Sequence, residues 1–172
     1  MQDLQKKMLS DYNIIVHSYE NNKVNNIPSF LNEINKITNL VEGSIIQLLD
    51  CDYICGQSHL YQGISQAFKA FNEHQNFAKD KGLEICVRTS AQKQISEALK
   101  LLGIKQEGNI TVVYVNVNEK QLIKTEKLLS GRNDSLIEVY DVEKIVNAYG
   151  LNNSDNIVNS INEKIALLAL KS

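Results

Sequence analysis

The chain reads as a single α/β domain in which a mixed or mostly antiparallel sheet is flanked by amphipathic helices. Three observations lead there. Along all 172 residues, stretches rich in β-branched side chains alternate with stretches whose apolar residues recur every three or four positions. Ile110 to Val117 (ITVVYVNV) is apolar on both faces through Val115, the pattern of a central strand. Leu83 to Arg88 alternates, with Leu83, Ile85 and Val87 on one side and Glu84, Cys86 and Arg88 on the other. That is the pattern of a strand with one open face, and it favours antiparallel or mixed pairing over a doubly wound parallel sheet.

The elements follow in order. The first dozen residues read as a helical turn or a frayed end, and Asn13 to Tyr19 as the first strand, followed by a polar loop through Asn26. Pro28 suits a first helical turn, and Phe30, Leu31, Ile34, Ile37, Leu40 and Val41 recur at helical spacing up to Gly43. Ile45 to Leu49 is a short strand that Asp52 to Cys55 extends or bends. From Ser58 as N-cap, Leu60, Ile64, Ala67, Phe68 and Phe71 form one stripe of a helix. After the alternating strand, Thr89 and Gln92 fit a capping box, so a helix is expected to start at or just after Thr89. Beyond the central strand, Leu122, Ile123, Leu128 and Leu129 predict a helix closed near Gly131. Leu136 to Tyr140 predicts a strand, Val142 to Tyr149 a short helix, and Ile157 to Leu170 a final amphipathic helix.

A chain of 172 residues with 43% hydrophobic content closes one substantial core, so residues 1–172 are read as one domain. No apolar run reaches the roughly 18 residues of a membrane helix, and MQDLQKKML lacks the apolar stretch of a signal peptide, so a cytoplasmic protein is expected. The net charge of −2 argues against coating nucleic acid through charge alone, yet the charge is uneven. Between Lys69 and Lys105 stand seven basic residues against four acidic, and from Asp134 to Lys164 six acidic against two basic.

Catalytic signatures are missing. There is no Gly-rich phosphate loop, no G-x-S-x-G, no H-E-x-x-H and no paired CxxC, so no catalytic residue, metal ligand or cofactor is assigned. Cys51, Cys55 and Cys86 sit among apolar neighbours and read as small buried hydrophobes. His17 reads as a strand residue, and His59, beside Ser58, as a group that caps, hydrogen-bonds or contacts phosphate. The Cys51 to His59 region is the one place for an alternative reading as a small-molecule-binding or catalytic α/β domain.

Arg88 is one of two arginines among 18 basic residues. Its planar fork of donors matches phosphate or carboxylate, which an ammonium does not. At a strand end, beside Lys93 and the first-turn amides of the next helix, it is a candidate phosphate contact. The competing account pairs it with Glu84 or another carboxylate on the same face. In the following helix Leu101 falls off the core stripe of Ile95, Ala98, Leu99 and Leu102 and, with Ile104, could present an apolar patch to a partner.

R-T-S-A-Q-K-Q-I at Arg88 to Ile95, the following E-A-L-K-L-L-G-I-K, and D-Y-I-C-G-Q-S-H-L at Asp52 to Leu60 resemble the family of small kinase-binding subunits of the KEOPS complex, to which the animal PRPK-binding protein belongs. The likeness runs from about Ile45 to Gly131 and more weakly to Gly150, leaving the N-terminal strand and helix and the C-terminal helix as extensions. Archaeal relatives tend to carry Gly where Ala91 stands and often Arg where Lys93 stands. The resemblance implies a non-catalytic subunit that docks on the small atypical kinase-ATPase of KEOPS, a complex that makes threonylcarbamoyladenosine in tRNA, and that helps grip the 3′ CCA end of tRNA. On that reading Leu101, Leu102 and Ile104 are the kinase-contact candidates, and Arg88, Lys93, Lys69, Lys79, Lys81 and His59 the RNA-contact candidates. Self-association in the kinase's absence is compatible with it, as is a protein-only adaptor whose basic residues are plain surface.

Overall fold

The computed structural model describes residues 9–152 and 156–171. Three strands pair antiparallel in the order β1 (Ile14–Lys23), β3 (Glu107–Val115), β2 (Ile45–Asp50). The helices are α1 (Ile27–Thr38), α2 (Gly56–Asn72), α3 (Lys81–Thr89), α4 (Ile95–Leu102), α5 (Glu119–Lys127), α6 (Val142–Tyr149) and α7 (Ile157–Leu168). Short 3-10 turns occupy Cys51–Tyr53, Asp134–Glu138 and Ala169–Lys171. Among the described residues no helix is long and apolar enough to cross a membrane.

The central strand is buried on both faces because both faces of the sheet are covered. Val113, Val115 and Leu49 join one cluster with Leu60, Ile64 and Phe68 of α2, Ile85 and Cys86 of α3, and Ala98 and Leu102 of α4. Ile110, Val112, Tyr114 and Leu48 join another with Ile34 and Ile37 of α1 and Leu129 after α5. A third, smaller cluster lies along α2: Cys55 with Ile145 and Tyr149 of α6 and Ile161 and Ile165 of α7. The order of elements thus gives two helical layers about a sheet, with α6 and α7 added on one side.

Local chemistry fixes most ends. Asn26 caps α1, accepting from the Ser29 amide, with Pro28 in the first turn. Asn118 and Gln121 form a reciprocal capping box at α5. Helix α2 begins two residues before Ser58, and its first turn is closed from outside the helix, where the Gln57 amide donates to Glu138 Oε1 at 2.8 Å.

Two expected strands are not strands. Leu136 to Tyr140 is largely the 3-10 turn Asp134–Glu138. Leu83 to Arg88 lies within α3, so the sheet is antiparallel as expected, but the segment that argued for it is not in the sheet. Asp80 caps α3 by accepting from the Leu83 amide at 2.8 Å. Ile85, Val87 and Thr89 are β-branched and locally favour a strand, yet every residue from Glu84 to Thr89 is buried. A helix enclosed on nearly all sides loses the polar face that would reveal its period, and packing overrides propensity.

The helix expected from Thr89 starts instead at Ile95, because Thr89 ends α3 and Ala91 turns the chain at φ 59. There is no capping box at Thr89 and no helix N-terminus beside Arg88. The turn also accounts for a departure noted in the sequence: the left-handed region is disfavoured for any residue with a Cβ, and Ala91 stands where glycine is the easier choice.

Candidate docking surfaces

Side chains of a helix lean toward its N-terminus, so Arg88 in the last turn of α3 reaches back along the helix rather than out past its end. Its Nε donates to Glu84 Oε2 at 2.7 Å, and the side chains are 1% and 0% exposed. Nη2 donates to the Gln75 carbonyl at 2.9 Å, and the guanidinium carbon lies 4.2 Å from the centre of the Phe77 ring. The other Glu84 oxygen accepts from the amides of Phe77 at 2.9 Å and Ala78 at 2.7 Å. The assignment of Arg88 to RNA contact is therefore corrected: its fork is occupied by protein and shielded from solvent. Glu84 and Arg88 stand one helical turn apart, so a helix makes the pairing that the competing account had placed on one face of a strand.

His59 is corrected in the same way. It is fully buried, its Nδ1 accepts from the Cys55 amide at 3.0 Å, and its Nε2–H donates to the Thr89 carbonyl at 2.8 Å. Burial pushes its pKa down to about 4, so the ring is a neutral tie between the start of α2 and the end of α3. Directly beside it the two helices touch. A Cβ on Gly63 would lie 2.8 Å from Thr89 Cα, which leaves room only for glycine.

The lysines divide. Lys69 in the last turn of α2, Lys79 and Lys81 belong to the α2–α3 connection, with Lys79 exposed and the Lys81 ammonium 5.9 Å from the centre of the Tyr12 ring. Lys93 is exposed in the turn after α3, about 13 Å further along at the rise of a nine-residue helix. Lys79 and Lys81 flank the N-cap of α3, where the helix dipole disfavours cations, so helix stability does not explain their presence.

Of the apolar candidates, Leu102 and Ile104 are core residues, and a kinase contact through either is corrected on that ground. Leu101 is half-buried at the seam between the sheet cluster and the α6–α7 cluster, as is Tyr53. From that seam a surface continues that the sequence did not disclose. Lys105 Nζ bonds the Leu101 carbonyl at 3.2 Å and Asp50 at 2.9 Å while lying 5.5 Å from the centre of the Tyr53 ring. Lys144 Nζ, 5.7 Å from the same ring, pairs with Asp52 at 3.1 Å. Beside them Val139 is 71% and Val142 54% exposed. A recess of about 160 Å³ opens there, lined by Cys51, Asp52, Leu136, Val139, Tyr140 and Lys144 among others.

Of the Cys51 to His59 region, Cys51 and Asp52 line that recess and the rest does not. Cys55 and His59 are sealed inside, burial raises the Cys51 thiol, and it pushes Cys55 and Cys86 up to about 12. All three cysteines are free and buried. Among the described residues no group of three or more His, Cys, Asp or Glu side chains is placed to hold a metal ion.

Exposed apolar side chains at one place and exposed lysines at another are surfaces a binding protein can use. The sequence profile of the family described as "Kinase binding protein CGI-121" matches residues 15–169, taking in β1, α1 and α7, which the motif resemblance left outside. "Regulatory protein Cgi121" of Methanocaldococcus jannaschii is 34% identical over 140 residues, covering 80% of this chain and 90% of that protein. The chain belongs to the CGI-121 family of kinase-binding proteins.

Proposed function

We propose that this protein is the non-catalytic, cytoplasmic kinase-binding subunit of a KEOPS complex, docking its small kinase-ATPase through the surface that runs from Leu101 across Tyr53 to Val139 and Val142. The observation that carries it is the pair of apolar side chains more than half exposed, Val139 and Val142, with the half-buried Leu101 and a Tyr53 ring set between two ammonium groups. Aromatic and aliphatic anchors ringed by polar contacts are the usual anatomy of a binding hot spot. Family membership supports a kinase as the occupant, and in its absence the same face is where two copies would pair.

Titration of the purified kinase against Val142→Glu and Leu101→Glu tests this. Val142→Glu puts a charge on an exposed position, leaves folding intact and weakens binding by about 2–4 kcal/mol if the position is central. A folded Val142→Glu protein and a folded Leu101→Glu protein that both bind kinase like wild type remove this face from the role.

The same reading extends to tRNA. The lysines of the α2–α3 connection, Lys69, Lys79 and Lys81, with Lys93 beyond, are proposed to meet the backbone of the tRNA acceptor end, including its CCA tail. Gel shifts with intact and CCA-trimmed tRNA at rising salt are the measurement, since counterion release makes phosphate contacts weaken with salt. Affinity that ignores both trimming and salt leaves the protein-only adaptor.

A further inference from the structure

We propose that the buried Glu84–Arg88 pair is a positioning device for RNA binding: it holds the Gln75–Ala78 segment in the one shape that presents Lys79 and Lys81 together. The inference rests on the tRNA reading of that connection.

The geometry ties chain to chain rather than side chain to side chain. One Glu84 oxygen takes two consecutive loop amides, Phe77 and Ala78, and the other takes Arg88 Nε. Arg88 in turn donates to the Gln75 carbonyl and lies against the Phe77 ring. Three of the four residues Gln75–Ala78 are thereby fixed to two side chains one helical turn apart. Asn76 Nδ2 closes the segment on itself, donating to the Ala78 carbonyl at 2.7 Å, and His74 takes a left-handed φ of 56 at its entrance.

The consequence falls on the next residues. Ala78 is buried and held by the hydrogen bond its backbone N–H donates to Glu84, Asp80 caps α3, and Lys79 lies between these two fixed points with Lys81 directly after. A pair kept only to join helix turns would need neither the loop amides nor the Gln75 carbonyl. A lysine at position 88 would supply the charge without the fork that reaches Glu84 and Gln75 at once.

Binding of CCA-ended tRNA is measured at several salt concentrations, well below each protein's melting temperature, for wild type, Lys79→Ala/Lys81→Ala, Glu84→Leu/Arg88→Met and Glu84→Gln. The lysine double variant is expected to lose affinity about tenfold and to lower the salt slope by roughly 1–2. Glu84→Leu/Arg88→Met, with both lysines intact, is expected to match it in affinity and slope. Glu84→Gln keeps an oxygen for the two loop amides but turns an NH2 donor toward Arg88 Nε, and is expected to fall between the wild type and the apolar double variant in both. A slope reports the phosphates engaged, which a general loss of stability in a folded protein does not change. Should the apolar double variant fail to fold, Arg88→Lys, which keeps the charge beside Glu84 but loses the fork that also reaches the Gln75 carbonyl, takes its place with a loss in the same direction expected. If Lys79→Ala/Lys81→Ala weakens binding while the folded loop-release variant keeps wild-type affinity and slope, the positioning role is overturned and the RNA reading stands. If the lysine variant itself binds like wild type, the RNA reading of this connection falls and the positioning role with it.

Discussion

Arg88–Glu84 and Lys144–Asp52 pair a cation with a carboxylate at similar distances, 2.7 and 3.1 Å, in opposite surroundings. The first pair is buried, and backbone groups take the second Glu84 oxygen and Arg88 Nη2. The second lies at the surface, its side chains 45% and 37% exposed, against one side of Tyr53. Enclosure makes a polar group structural: once water is gone, every donor and acceptor must find a protein partner, and the geometry becomes rigid. Exposure leaves a group exchangeable, able to trade a weak intramolecular contact for an intermolecular one.

The largest way to break this contrast is to remove one member of the enclosed pair. Arg88→Met strands the Glu84 carboxylate inside the protein and is expected to cost about 3–5 kcal/mol of unfolding free energy by urea titration. A loss below about 1 kcal/mol would place the pair in the same class as the surface one.

Proton linkage probes the interior next. The folded pKa of His59, about 4, is below the ordinary value of 6.5, so between those values the unfolded chain binds the extra proton. Its contribution is fully present above 6.5 and is lost as pH falls toward 4. At about 1.4 kcal/mol for each pKa unit the loss is on the order of 3 kcal/mol, which His59→Gln should remove from the pH dependence of stability. Equal pH profiles for the two proteins would mean that His59 does not carry it.

A smaller effect has the opposite sign. Ala91→Gly relieves a left-handed turn and is expected to stabilise by about 0.5–1 kcal/mol, the steric relief exceeding glycine's entropy in the unfolded chain. A lower melting temperature would show that the methyl group packs usefully. Smallest of all, Lys144→Ala should change stability by less than about 1 kcal/mol while weakening kinase binding measurably. If stability falls and kinase affinity does not, the exposed pair is structural after all.

The legible parts of the sequence were those with a local cause. The Leu60–Phe71 stripe, the doubly apolar β3 and the span Val142–Tyr149 stand where their periodicity put them, whereas the Phe30 stripe is helical only as far as Thr38, before Leu40 and Val41. The three cysteines are buried, as their apolar neighbours implied. Enclosed segments were misread. Leu83 to Arg88 satisfies a period of two and an i, i+4 pairing equally well, and burial on all sides erased the polar face that would have separated them. The proposed docking surface was half legible: Leu101 stood out as an apolar residue off the stripe, whereas Tyr53, Lys105 and Lys144 meet across some 90 residues of chain and leave no local signature.

The sequence alone determined the class of the fold, the helices with one wet face, the central strand, and the family, because each of these is written in neighbouring residues or in contiguous motifs. Only the tertiary structure decided that Arg88 and His59 face inward, that Leu102 and Ile104 belong to the core, and that Lys105 and Lys144 meet at Tyr53. The physical reason is that a side chain's exposure is set by what packs over it from elsewhere in the chain, and a guanidinium or imidazole carries the same chemistry whether its partner is a phosphate in solvent or a carbonyl in the interior.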